Sequence, residues 1–166
     1  MTISSAKSKG RRHQHQIRDL LLEKTKSFGL VHGDITSVPG GVSGRDINLS
    51  PRAEGVIKWN IEAKNQENIN LYKCIEQAEY NSKQGRIPLL VFTKNRSKKY
   101  VCILENDLNI DLKDKFYSTS CIDKKFNIWK MIDNSINKDI PLIFIKNNKK
   151  YIIIEFNYFL NLFFDE

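Results

Sequence analysis

The chain has 166 residues, 27 of them Lys or Arg against 19 Asp or Glu, for a net charge of +8 at pH 7. That length supports one domain with a real hydrophobic core and excludes two of ordinary size, and the charge favours a polyanionic partner, nucleic acid foremost. Its three cysteines, Cys74, Cys102 and Cys121, are widely spaced and form no CxxC pair, which argues against a disulfide framework or a zinc site and points to an intracellular, cytoplasmic chain.

The N-terminal MTISSAKSKGRRHQHQ carries no apolar core for a signal peptide, and no apolar run reaches the roughly 18 residues of a membrane span, so no membrane partner is expected. After this basic lead, a helix of about three turns is expected, with Ile17, Leu20, Leu21 and Phe28 on one buried face and Gly29 ending it. The following HGDITSVPGGVSGRDINLSPRAEG is rich in Gly, Pro and Ser, and only DINLS, beginning at Asp46, reads as a strand. A hairpin through PRAEG would bring that strand beside the next one, VIKWNIEAK.

Side chains alternate along a strand, so Ile57, Trp59, Ile61 and Ala63 take one face while Asn60, Glu62 and Lys64 share the other. A second helix is expected from about Ile69 to Lys83, with Leu71, Ile75, Ala78 and also Cys74 and Tyr80 inward, closed by Gly85. Two strands follow, IPLLVFTK and KYVCIL, joined by the polar turn NRSK.

The chain then repeats a pattern. NLYKCIE from Asn70 matches NIWKMID from Asn127 in residue class, and IPLLVFTKNRSKKYVCIL is echoed by IPLIFIKNNKKYIII, so a helix followed by a β-hairpin is expected twice. The second copy lacks an upstream Asp and a Glu-x-Lys, and should not form a second active site. The terminal FNYFLNLFF, with Phe156, Phe159, Leu160, Phe163 and Phe164, is either a last core segment or a subunit contact.

Asp46, Glu62 and Lys64 would place two carboxylates and an amine at one strand end. Magnesium favours a few hard carboxylate oxygens and keeps waters for the rest of its shell. Phosphodiester hydrolysis uses such an ion to activate water and to offset charge on phosphorus, and an amine can orient the attacking water. The plainer alternative is an exposed Glu62–Lys64 strand salt bridge, with Asp46 capping the turn after SGR.

GRDINLSP followed by WNIEAK, then IEQAEY and IPLLVFTKN, resembles the PD-(D/E)xK metal-dependent nucleases, and most closely their small phage-type members grouped with Holliday-junction resolvases, over about residues 10–104. The resemblance implies an α/β, restriction-endonuclease-like core with a mixed central β-sheet flanked by helices, which we place at residues 1–112 with 1–10 as a flexible lead; the internal repeat makes 113–166 a repeat-derived extension of the same domain. It implies that Asp46 and Glu62 ligate Mg2+, or Mn2+ in its place, with help from the Ala63 carbonyl, and that Lys64 is catalytic. Arg45 stands where the family usually has proline. Resolvase-like members also carry a first-helix glutamate; Gln14 falls nearest that position here, with His13, His15 and Gln16 as neighbours, and altered metal preference or rate is expected. His13 and His15 could ligate a metal, but in a basic tail they are read as contacts to phosphate or solvent. Gln77 is a further candidate catalytic contact from the second helix.

Lys9, Arg11, Arg12 and Arg18 open the first helix beside the expected site and are candidates for phosphate-backbone contacts, with Lys94, Arg96, Lys98 and Lys99 at a hairpin tip as a second group. Ser43 and Arg45 belong to SVPGGVSGR, whose glycines let backbone approach a phosphate closely. The expected activity is a DNA endonuclease, structure-selective on branched or duplex DNA and acting as a homodimer or higher homo-oligomer, since a resolvase cuts two symmetry-related strands. A site-specific or homing-type endonuclease on the same fold and a noncatalytic DNA-binding relative are the alternatives.

Overall fold

Alternating strand residues build two apolar surfaces on one sheet. The computed structural model describes residues 3–38, 44–82, 85–108, 127–134 and 142–165; Ser43, most of the glycine-rich loop before Asp46 and Cys121 lie outside them. Strands β3 (Trp59–Asn65), β4 (Ile87–Thr93), β5 (Tyr100–Leu104), β6 (Leu142–Lys146) and β7 (Lys149–Glu155) form a five-stranded sheet in the order β3-β4-β5-β7-β6. β3 and β4 run parallel and the other pairs antiparallel, which makes the sheet mixed.

One face of this sheet, carrying Trp59, Ile61, Leu89, Val91, Val101 and Ile152, packs with Ile17 and Leu21 of α1 (Ile3–Lys24) and Phe156, Phe159 and Leu160 of α5 (Phe156–Phe164). The opposite face, with Leu90, Phe92, Cys102, Phe144 and Ile153, packs with Leu71, Cys74, Ile75 and Ala78 of α3 (Leu71–Asn81) and Ile128, Trp129 and Ile132 of α4 (Ile128–Asn134). This is the α/β, restriction-endonuclease-like arrangement that the sequence led us to expect. Asn side chains cap both helices of the second layer: Asn70 accepts from the Lys73 amide and Asn127 from the Trp129 amide.

Several local expectations are corrected. The first helix starts at Ile3 and runs 22 residues, because Ala, Lys, Arg and Gln in the basic segment are good helix formers that outweigh its Ser and His residues and Gly10. Phe28 lies beyond it in a short 3-10 turn, is half exposed and meets Phe164 edge-on. PRAEG is no hairpin. Ser50 accepts from the Ala53 amide and Pro51 takes the first helical position, which starts α2 (Pro51–Val56).

The strand after Asp46, β2 (Ile47–Leu49), therefore pairs with β1 (Ile35–Ser37), a strand too short to show alternation in the sequence, rather than lying along β3. Tyr80 is exposed instead of inward. The terminal Phe-rich segment is core: Phe156, Phe159 and Leu160 are fully buried, and Trp59 meets the rings of Phe159 and Phe163. That side of α5 is packed within the chain, while Phe163 and Phe164 are partly buried. Among the described residues, no helix is long and apolar enough to cross a membrane.

Candidate active site

The site is built on the free edge of β3. Lys58 and Gln66 use their backbone to bond toward β4, so the even-numbered residues of this segment face the sheet and the odd-numbered ones send amide and carbonyl outward. Asp46 occupies that outer edge: its amide donates to the Ile61 carbonyl at 3.1 Å, and its Oδ2 accepts from the Ala63 amide at 2.6 Å. The Ala63 carbonyl leaves the strand on the same side. A carboxylate thus continues the hydrogen-bonding pattern of the sheet where another strand would otherwise lie.

From the other side, Gln14 on α1 donates Nε2 to Asp46 Oδ1 at 2.6 Å. The helix reaches the site because Ile17 and Leu21, on the same face as Gln14 at helical spacing, are fully buried against the sheet. Gln14 is itself buried, and its Oε1 has no hydrogen-bond partner among the described residues.

Glu62 is 2 % exposed, and both of its carboxylate oxygens are engaged. Oε1 accepts from Lys64 Nζ at 2.5 Å and Oε2 from Asn81 Nδ2 at 3.1 Å. The backbone carbonyl of Asn81, at the end of α3, accepts from Asn60 Nδ2 at 3.3 Å, which fixes the helix end to β3. A buried carboxylate is tolerable only with such partners. Lys64 keeps part of its surface in solvent.

Electrostatics tie Asp46 to this pair. Burial first, and the Glu62 charge after it, push the Asp46 carboxyl above the ordinary carboxylate range, against the pull of the Ala63 amide, Lys64 and Gln14. A carboxylate whose ionisation is opposed by burial and by a neighbouring carboxylate is a poor arrangement for stability and a good one for a cation. The donor set fits a hard divalent ion: two carboxylates, an outward backbone carbonyl and the unpartnered amide oxygen of Gln14. No group of three or more His, Cys, Asp or Glu with metal-holding geometry occurs among the described residues, so two carboxylates with backbone or amide oxygens and waters are what a shell here would be made of.

The structure brings together Asp46, Glu62, Ala63, Lys64 and Gln14. It does not bring in Gln77, which is exposed on α3; the side chain that reaches Glu62 is Asn81, one turn further on the same helical stripe. Nothing in the sequence distinguished Asn81 from an ordinary helix-ending Asn. His13 is also buried, with Nε2 3.3 Å from the Val91 carbonyl, and burial lowers its pKa to about 4, so it stays neutral and anchors α1 instead of contacting phosphate from a tail. Of the expected DNA contacts, Arg18 pairs with Asp19 and Arg45 with Glu54, each at 2.7 Å. Lys9 and Arg12 line a cleft with the β4–β5 turn, while Arg11 is exposed on α1.

A family model described as "Phage putative PDDEXK endonuclease" matches residues 5–138, a span that contains every residue of this site. Comparison with curated proteins and with solved structures gave no match.

Proposed function

Because the chain belongs to the phage PD-(D/E)xK endonuclease family, we propose that it is a metal-dependent DNA endonuclease that hydrolyses phosphodiester bonds at the edge of β3. One observation carries this reading: the Asp46 carboxylate is bonded to the amide of Ala63, the residue between Glu62 and Lys64, so two carboxylates and an amine are gathered at one point of one strand.

A divalent ion, magnesium with manganese as its substitute, would be held by Asp46, Glu62 and the Ala63 carbonyl, and supplies a lowered pKa for water and charge neutralisation at phosphorus. Gln14 and the Ala63 amide orient Asp46, and Asn81 orients Glu62. Lys64, part exposed and paired with Glu62, faces the side from which substrate arrives, where its ammonium orients the attacking water and offsets the charge that develops on the phosphate. Water adds to phosphorus, the ester bond to one sugar oxygen breaks, and that oxygen leaves as an alcohol after gaining a proton. No covalent enzyme intermediate is invoked, since among the described residues no Ser, Thr or Cys takes part in the site's hydrogen bonds. Gln77, one turn before Asn81, would meet the substrate rather than Glu62.

The finer reading is selectivity for branched DNA, which rests on the resemblance to resolvase-like members and entails a homodimer with two symmetry-related sites. A four-way junction and a linear duplex of the same arm sequence, incubated with magnesium and separately with manganese, separate the possibilities. Paired nicks confined to the junction are expected. Cutting of one linear sequence would transfer the substrate to a site-specific endonuclease, and binding without cutting by the wild type would overturn the catalytic reading.

A further inference from the structure

A second feature lies beside the site. Between α1 and the turn that joins β4 to β5 is a cleft of about 720 Å³ lined by Lys9, Arg12, Lys94, Arg96 and Lys99, with no carboxylate among the described lining residues. Bulk water occupies roughly 30 Å³ per molecule, so the cleft has room for a stretch of polymer and not merely one ion. Asn65, the residue after Lys64 on β3, is part of its wall, so the cleft opens where the candidate active site ends. Next to Gln14 on α1, His13 also lines it, neutral and tied to Val91.

The cations are presented on fixed backbone. The Thr93 hydroxyl lies 3.0–3.4 Å from the carbonyls of Lys94, Ser97 and Lys98 and gathers the turn around itself. Arg96 holds a φ of 56°, a left-handed conformation that a flexible loop would relax. Lys99 is driven below the usual lysine range first by burial and then by the charge of Arg12, so like charges are held together at a cost that an anion would relieve. Lys94 already pairs with Asp133 at 3.1 Å and sits over the Trp129 ring at 5.1 Å, which leaves Arg12, Arg96 and Lys99 as the groups best placed for a ligand.

We infer that this cleft is a DNA-backbone site, in which Arg12, Arg96 and Lys99 hold internal phosphodiester groups of the strand that flanks the one being cut. The inference rests on the endonuclease reading for the identity of the polymer, and on the cleft alone for its place. Backbone contacts of this kind give affinity and register without sequence information.

The test is the salt dependence of DNA binding, measured by fluorescence anisotropy with metal chelated so that no strand is cut. Arg12→Gln, Arg96→Gln and Lys99→Gln are compared with the wild type and with Lys130→Gln, which removes an exposed charge on α4 outside the cleft lining. Each cleft variant is expected to reduce the slope of log affinity against log salt by about 0.9, with Lys130→Gln at the wild-type slope and the melting temperatures of these four variants unchanged. Wild-type slopes in all three cleft variants would overturn the cleft assignment and leave the endonuclease reading standing. Failure of the wild type to bind DNA would overturn both. Affinity that depends on a 5′-terminal phosphate would assign the cleft to strand ends and overturn the internal-backbone path.

Discussion

Asp46 is a carboxylate held against its own preference. Burial and Glu62 raise its pKa, so between the unfolded carboxylate value and the raised folded one the native state binds more protons than the unfolded chain, and stability falls as pH rises through that window. Asp46→Asn removes the titration. In thermal melts with chelator present, the melting temperature of Asp46→Asn relative to the wild type is therefore expected to climb from acid to neutral pH; a difference that shrinks with rising pH would contradict the account. Asn81 makes a separate claim. Its amide orients Glu62, so Asn81→Ala is expected to raise the magnesium needed for half-maximal cleavage by roughly 10–100-fold, the usual range for groups that support metal ligands, while DNA affinity under chelation stays as it was. An unchanged magnesium requirement would leave Asn81 as a mere helix end. Asp46, Glu62 and Lys64 were legible in the sequence because the chemistry needs those residue types on one strand end. Asn81 was not, because its partner is set by how α3 packs on β3, and His13 was misread because the reach of the helix into the basic segment was hidden by its charge.

Elements with a clear period, β3 to β7 and α3, were legible from alternation and capping, whereas β1, α2 and the start of α1 were not. β1 has three residues, too few for a pattern, and α2 is announced only by Ser50 and Pro51 in a stretch whose glycine also suits a turn. The ambiguity of the last segment, core or contact, could be resolved only by seeing Trp59 opposite it. Because Phe159 is fully buried against that ring at 4.8 Å, Phe159→Ala is expected to cost about 3–5 kcal/mol in urea unfolding; a loss below about 1 kcal/mol would place α5 outside the core. The β6–β7 turn offers a smaller test. Asn147 and Asn148 both hold positive φ, 50° and 61°, as a type I′ hairpin turn requires. Asn148→Gly should leave stability equal or higher, and Asn148→Val should lower it by about 1–2 kcal/mol.

At the scale of the whole molecule, the sheet order explains why one end of the protein carries the chemistry. β3 is an edge strand, and edges are normally capped or covered to prevent pairing with another chain. Here Asp46, just ahead of β2, donates its amide to the Ile61 carbonyl, and its side chain takes the next hydrogen-bonding place along the edge. The hairpin of β6 and β7 extends the sheet at the opposite end, against β5, and adds Phe144, Tyr151 and Ile153 to the core. The net charge of +8 then acts on a surface where the free edge and the basic cleft adjoin. Such a surface attracts DNA in a salt-dependent way.

The most direct test is cleavage of covalently closed duplex DNA and of a four-way junction by the wild type, Glu62→Ala and Lys64→Ala, with magnesium and with chelator. Strand breaks are expected on at least one substrate from the wild type with magnesium, none under chelation, and a loss of at least about 100-fold in both variants with DNA binding retained. Wild-type rates in Glu62→Ala, or cutting that persists without a divalent ion, would contradict the assignment of Asp46, Glu62 and Lys64 to one hydrolytic centre.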